Sequence, residues 1–361
     1  MIGCKEILKQ FQIIGDVESC KRYGNGHIND TYLVTTFGDK DYILQRINHY
    51  VFKDVEKLMH NQKLITEYIA KKLKEQGCYD DRLFLNIVPA VDGKCFIKYQ
   101  ENYYRCYEFI EGGECLEKII HPLQFELSGV AFGRFQKLLD GFDASLLHET
   151  IPDFHNTRKR YNNFAKAIAE DKANRKKDCG KLIYEYLKRE EYCDKVLKLM
   201  DEKEIPVRVT HNDTKLNNVL IDTYFNQPLA VLDLDTVMAG SVLYDFGDSI
   251  RYGANRGAED ERDLEKVGFE MELFKAFSRG FISQTKDILV EEEINNLAFG
   301  AILMTYECGM RFLTDHLEGD FYFKIRRRDH NLDRAKTQLK MLEDMEEVLD
   351  QMTEFIWMLY G

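Results

Sequence analysis

The chain has 361 residues, five prolines, and 44% hydrophobic against 31% charged side chains, a balance that allows a sizeable core and argues against long disordered linkers. Its 50 basic and 62 acidic side chains give a formal net charge of -12, which disfavours nucleic acid and anionic membrane surfaces as partners and points to small molecules. Nine cysteines without a C-x-x-C pair suit free packing thiols in a reducing compartment, and the start MIGCKEILKQFQIIG lacks the features of a signal peptide, so a cytoplasmic location is expected.

Gly24-Asn25-Gly26-His27 reads as a glycine turn linking strands at Lys21 to Tyr23 and Asp30 to Val34. Tyr32 to Thr36 and Tyr42 to Ile47, rich in β-branched and aromatic residues and separated by Phe37-Gly38-Asp39-Lys40, predict a β-hairpin. Val55, Leu58, Leu64, Ile65, Ile69 and Leu73 recur at helical spacing, which predicts a long amphipathic helix over Phe52 to Lys74. Two more strands are expected at Phe84 to Val91 and Tyr103 to Ile110, and composition shifts at Glu111-Gly112-Gly113.

Beyond that shift helical patterns dominate, at Phe132 to Leu139, Tyr161 to Ala169 and Leu182 to Met200. Short strands at Val219 to Asp222 and Ala230 to Leu234, joined by a turn, interrupt them. The apolar run Leu297 to Leu313 carries Glu307 and Arg311 and falls short of the roughly 18 to 20 uncharged residues of a membrane span, so a buried helix is predicted. Ala335, Leu339, Leu342, Met345, Leu349, Met352, Ile356 and Leu359 form a terminal stripe, which fits a helix packed on its own domain better than a dimer seam and favours a monomer.

The strongest chemical signal is His211-Asn212-Asp213-Thr214-Lys215-Leu216-Asn217-Asn218, with the H-x-D-x-x-x-x-N spacing of a kinase catalytic loop. Asp213 can accept or orient the proton of a substrate hydroxyl, Asn218 can offer its amide oxygen to magnesium, and Lys215 can neutralise charge on a transferring phosphoryl group. Asp233 lies at the far end of the following hairpin and is the expected second magnesium ligand. Strand alternation would put Asp235 on the same face as a supporting group. Asp245 and Asp248, in Tyr244-Asp245-Phe246-Gly247-Asp248, are expected to brace the loop by hydrogen bonds. In the first part of the chain Gly24 and Gly26 could let backbone N–H groups approach phosphates, and Arg46, with Glu67 as a possible partner, stands where a phosphate-pairing lysine is often found.

These residues make the chain resemble the aminoglycoside phosphotransferase-like family, and in particular its members that phosphorylate N-acetylhexosamines. The motifs are YGNGHINDTYLVTT, YILQRIN, RVTHNDTKLNN, DLDTVMAGSVLYDFGDSIRYGA and ECGMRFLTDHLEGDFYF, in one order along nearly the whole chain. The resemblance implies an α+β, protein-kinase-like bilobal fold. Residues 1–107 would form a small lobe with an antiparallel sheet and one long helix, 108–113 a hinge, and 114–361 a larger, mainly helical lobe. It further implies transfer of the ATP γ-phosphoryl group to the anomeric hydroxyl of GlcNAc or GalNAc, with Asp213 as base and Asn218 and Asp233 on Mg2+. The backbone of Glu108 to Ile110 would receive adenine, and His27, Arg311 and Tyr322 would line the sugar site. Another hexose, an amino alcohol such as choline, or an aminoglycoside is the alternative acceptor, and a catalytically silent nucleotide-binding protein is a more distant one.

Overall fold

The computed structural model describes residues 2–24, 28–38 and 40–361. Two compact units emerge: Met1–Cys115 with Gly141–Pro152 and Val219–Ala239, and Leu116–Asp140 with Asp153–Asn218 and Gly240–Gly361. Unlike a single cut near residue 113, this division returns 219–239 to the first unit, because the strand Val219–Asp222 pairs with Gly113–Cys115.

The first unit opens with helix α1 (Ile2–Leu8), followed by β1 (Val17–Arg22), β2 (Asp30–Thr36) and β3 (Tyr42–Ile47). Helix α2 (Val55–Glu75) comes next, then β4 (Ile87–Val88), β5 (Ile97–Tyr99), β6 (Asn102–Glu108) and β7 (Gly113–Cys115). The sheet runs β1-β2-β3-β6-β4, with β5 also on β6, and its pairs are antiparallel. The predicted β2–β3 hairpin forms with Val34 opposite Tyr42, a register that buries Val34, Tyr42 and Leu44 on one face against Ile7, Leu8 and Phe11. Helix α2 starts three residues later than the apolar pattern suggested, because the Asp54 side chain caps it by accepting from the Lys57 N–H at 3.0 Å. Strand β4 is far shorter than Phe84 to Val91; Pro89 follows it directly and has no N–H for the ladder.

One cysteine expectation is corrected. Cys4 of α1 and Cys20 of β1 form a disulfide, since the packing of α1 brings their Cα atoms to 6.8 Å, while Cys78, Cys95, Cys106, Cys115, Cys179, Cys193 and Cys308 remain thiols. The pairing depends on a tertiary contact that no cysteine spacing reports.

The second unit is helical: α3 (Pro122–Leu138), α4 (Thr157–Glu170), α5 (Gly180–Leu187), α6 (Tyr192–Asp201), α7 (Val242–Gly253), α8 (Met271–Thr285), α9 (Glu291–Glu318), α10 (His330–Glu347) and α11 (Leu349–Tyr360). The helix predicted over Leu182 to Met200 is two. Arg189 Nη1 donates to the Glu185 carbonyl at 2.7 Å, taking the acceptor that the Arg189 N–H would need for the helix to continue, and its guanidinium is drawn to Glu346 of α10. The terminal stripe likewise spans two helices, and Ala335, Leu339, Leu342, Met345, Met352 and Ile356 are buried, as a core-facing stripe should be. No helix among the described residues is long and apolar enough to cross a membrane.

Two helix pairs in this unit meet backbone to backbone. A Cβ on Gly280 of α8 would lie 2.0 Å from the Glu126 carbonyl oxygen of α3, and one on Gly247 of α7 would lie 2.2 Å from the Gly300 carbonyl oxygen of α9. Neither pair can separate without losing packing along its length. Gly280→Val should therefore destabilise the protein by about 1–3 kcal/mol or more in urea unfolding. Gly180→Ala, where an added Cβ meets nothing within 4 Å, should leave the midpoint unchanged or slightly raised.

Candidate active site

The segment 211–218 leaves the strand Arg208–Thr210 and is shaped by side chains of the second unit. Asn212 turns it with a φ of +64°, a left-handed conformation that asparagine tolerates better than most residues. Asp245, in the first turns of α7, accepts from the His211 N–H at 2.9 Å, the Asn212 N–H at 2.8 Å and Gln136 Nε2 at 2.8 Å. Gln136 also donates to the Val209 carbonyl at 3.0 Å, so α3, the strand before the loop and α7 share one buried knot. Burial raises the Asp245 carboxyl above its ordinary value, and His211 with these donors works in the opposite direction. Thr214 Oγ1 donates to the Asp245 carbonyl at 2.7 Å, the Thr214 N–H donates to Asp248 at 3.2 Å, and Ser249 Oγ donates to the Thr214 carbonyl at 3.0 Å. Both carboxylates expected to brace the loop do so.

What this frame presents is a compact polar group. Lys215 Nζ stands 2.6 Å from Asp213 Oδ1, and Asn218 Nδ2 donates to the Asp213 carbonyl at 2.8 Å and to its Oδ2 at 3.3 Å. Burial opposes the Lys215 ammonium, but Asp213, with Asp248 and Glu259 beyond it, raises its pKa above the ordinary lysine value, so it stays charged. Asp248 is held below its ordinary value: burial would raise it, and Arg251 and Lys215 prevail. Arg251 completes the chain of charges by bonding Asp248 at 2.8 Å and Glu259 at 2.8 Å.

In the first unit the two aspartates after Leu232 separate. They do not alternate along a strand, because the strand Pro228–Val231 has ended and Asp233 takes a φ of +56°, beginning a tight turn over Leu234–Thr236. Asp235 is buried and accepts from Arg105 Nη1, Gln62 Nε2 at 2.6 Å and Asn29 Nδ2 at 2.7 Å, so its lone pairs are committed to the fold. Arg105, 1% exposed on β6, also bonds Gln45, and Tyr107 Oη donates to Gln62 at 2.6 Å. The sequence reading passed over Arg105; its signal was a charge between Tyr103 and Tyr107 on one row of the strand.

The remaining expected residues are placed as follows. Arg46 pairs with Asp30, its cross-strand partner in the register, and with Asn102 at 3.3 Å, on the solvent side of the sheet, while Glu67 pairs with Lys63 at 3.8 Å on the exposed face of α2. Glu108 accepts from Lys40 Nζ at 2.6 Å, and the N–H groups of Glu108 and Phe109 donate to the carbonyls of Asn86 and Asp41, which makes Ile110 the next N–H along the chain. Gly24 has a φ of +70° with open space where a side chain would stand, while Gly26 and His27 lie outside the described residues. Arg311 Nη2 reaches Tyr322 Oη at 3.4 Å, and its guanidinium sits over the rings of Phe154, Tyr322 and Phe323 at 5.3, 5.8 and 5.5 Å. Glu307, one turn before Arg311, bonds His155 and Thr157 instead. Asp315 fixes the segment carrying Tyr322 by accepting the N–H groups of Tyr322 and Phe323 at 2.8 and 2.9 Å.

Residues 19–277 match the phosphotransferase enzyme family. The chain belongs to that family. Solved structures share the fold of this phosphotransferase at low identity. Spectinomycin phosphotransferase in complex with ADP and spectinomycin is 14% identical, with 98% of both chains covered and a TM-score of 0.57. A microcompartment-associated aminopropanol kinase is 15% identical, with 98% of both chains covered and a TM-score of 0.55. Amicoumacin kinase in complex with AMP-PNP and Ca2+ is 14% identical over 97% of this chain and 93% of the other, with a TM-score of 0.60. The mixed α+β architecture, an antiparallel sheet in the N-terminal part and helices in the C-terminal part, is therefore that of the protein-kinase-like phosphotransferases.

If the Asp245 knot shapes the loop, Asp245→Asn should cost about 2–4 kcal/mol in chemical denaturation, because an NH2 group would then face backbone donors. Phosphotransferase activity in the surviving folded protein should fall at least about tenfold, the rate cost of roughly 1.4 kcal/mol in transition-state positioning.

Proposed function

We propose that this phosphotransferase is an ATP-dependent N-acetylhexosamine 1-kinase, transferring the γ-phosphoryl group to the anomeric hydroxyl of GlcNAc or GalNAc. The observation that carries the reading is the braced 211–218 loop, in which Asp213 is held between Lys215 and Asn218. Asp213 accepts or orients the proton of the attacking hydroxyl, and Lys215 offsets negative charge on the phosphoryl oxygens. Because the Asn218 amide points its nitrogen at Asp213, its oxygen is the atom offered to a cation.

Among the described residues no cluster of three or more acidic, histidine or cysteine side chains could hold a metal by itself. That suits Mg2+, which is commonly bound by one or two protein oxygens together with substrate phosphates, here Asn218 and Asp233. Bound Mg2+ would neutralise charge on the β- and γ-phosphates. Adenine is assigned to the Glu108–Ile110 backbone, with Gly24 and Gly26 beside the phosphates. Arg46, tied to Asp30, keeps its proposed phosphate role only if it exchanges that partner.

For the acceptor, His27, Arg311 and Tyr322 are the proposed sugar residues. Arg160 and Arg311 carry like charges close enough that Arg311, after burial, lowers the Arg160 pKa. A cationic amino alcohol or aminoglycoside would meet two guanidinium groups that Glu307 and Asp153 only partly offset, whereas a neutral acetamido sugar offers carbonyl and hydroxyl oxygens to guanidinium donors. Structural likeness to an aminopropanol kinase and to spectinomycin phosphotransferase keeps those acceptors in the assay.

Purified protein with Mg2+-ATP should release ADP only when GlcNAc or GalNAc is added; release driven by choline or spectinomycin alone would refute the sugar assignment. Asp213→Asn should lower kcat by about 10²–10⁴-fold while the KM for ATP stays within about threefold. Asp233→Ala should raise the Mg2+ concentration needed for half-maximal rate, and an unchanged Mg2+ requirement would remove Asp233 from the metal site.

A further inference from the structure

A buried histidine of the second unit is left over by the account above. His155 precedes α4, and its Nδ1 lies 2.8 Å from Oε1 of Glu307, which also accepts from Thr157 Oγ1 at 2.6 Å. Glu307 is 1% exposed in the middle of α9, and although burial would raise its carboxyl pKa, the hydrogen bonds from His155 and Thr157 and the nearby Arg311 guanidinium hold it below the ordinary value. An ionised carboxylate only accepts, so the proton between the two sits on Nδ1. The other ring nitrogen, Nε2, is buried and has no hydrogen-bond partner, on a side chain only 9% exposed. It is the one histidine nitrogen in that condition among the described residues. In the neutral ring this nitrogen carries a lone pair that can accept but not donate.

Its surroundings place this orphan acceptor between two groups already discussed. On one side the imidazole meets the ring of Phe154 at 4.6 Å, and Phe154 lies under the Arg311 guanidinium at 5.3 Å. On another it meets Tyr244 at 5.1 Å, the residue before Asp245, whose carboxylate accepts the His211 and Asn212 N–H groups. The dyad thus stands between the loop that carries Asp213 and the Arg311–Tyr322 pair. A packing histidine needs neither a buried carboxylate to fix its tautomer nor a second ring nitrogen left buried without a partner.

We propose that His155, locked by Glu307, is a specificity residue of the acceptor site, whose Nε2 accepts a hydrogen bond from a hydroxyl of the acceptor other than the one phosphorylated. The inference rests on the hexosamine reading above. It adds the demand that the acceptor be a polyol with a second hydroxyl able to donate, which a sugar has and a simple amino alcohol lacks. Asp213 remains the base; His155 recognises.

Steady-state kinetics on the full chain test this with GlcNAc, its 3-, 4- and 6-deoxy analogues, and choline, using wild type, His155→Phe and His155→Gln. His155→Phe, which keeps the ring shape, should raise the KM for GlcNAc at least tenfold and leave the KM for ATP within twofold. One deoxy analogue should show the same loss on wild type and no further loss on His155→Phe, and His155→Gln, whose amide oxygen can stand in for Nε2, should recover most of it. A GlcNAc KM unchanged in His155→Phe, a parallel rise in the ATP KM, or losses that add for every analogue would overturn the proposal. Should His155→Phe fail to fold, the same comparison of analogues on His155→Gln and Glu307→Gln decides. If wild type uses choline and not GlcNAc, the sugar reading and the second-hydroxyl contact fall together; if it uses another polyol such as spectinomycin, assayed alongside, the sugar reading falls alone, and a selective rise in that acceptor's KM in His155→Phe keeps the contact while no rise removes it. Wild type inert on every acceptor would overturn both.

Discussion

Asp245 is 1% exposed, and a carboxylate so placed must fill its lone pairs from donors inside the protein. It does so with the backbone N–H groups of His211 and Asn212 and the amide of Gln136, and those three bonds fix where the 211–218 loop can run. The position of Asp245 depends in turn on α7, which is pressed against α9 at Gly247 and Gly300 so closely that no side chain fits between them. A packing constraint on two glycines is thereby carried through one buried carboxylate to the backbone on either side of Asp213. Asp248, one turn further along α7, repeats the device at Thr214 and links the loop to Lys215 and Arg251.

The first unit solves a comparable problem with the opposite economy of charge. Asp235 is neutralised by Arg105 and surrounded by the amides of Gln62 and Asn29, which joins the sheet, α2 and the turn after Val231. Removing either charge would strand the other in the interior. Asp233, two residues earlier, has a left-handed backbone that turns the chain there.

Much of this was legible from residue patterns. The β2–β3 hairpin, α2, the long apolar helix α9 and the terminal stripe all announce themselves by period, since a half-buried strand or helix must repeat its apolar residues at its own pitch. The loop and its bracing carboxylates were legible because chemistry fixes residue types at fixed spacing. Features decided by a distant partner were not. The break between α5 and α6 depends on Arg189 reaching Glu346, and the Cys4–Cys20 bond depends on where α1 packs. Arg105 and the His155–Glu307 dyad join residues far apart in the chain, and a period of two or of three and a half says nothing about which charge will find which. Arg46 stood in a suggestive place by strand order, yet its register sets it beside Asp30.

The central claim is that the braced loop delivers phosphate to the anomeric oxygen of an N-acetylhexosamine. Phosphorus-31 NMR of a reaction containing the enzyme, Mg2+-ATP and GlcNAc tests it most directly. The account predicts one new phosphomonoester signal, coupled to the anomeric proton of the sugar, growing in step with ADP. A phosphoester coupled to the C6 methylene or another ring proton, or ATP left unchanged, would contradict it.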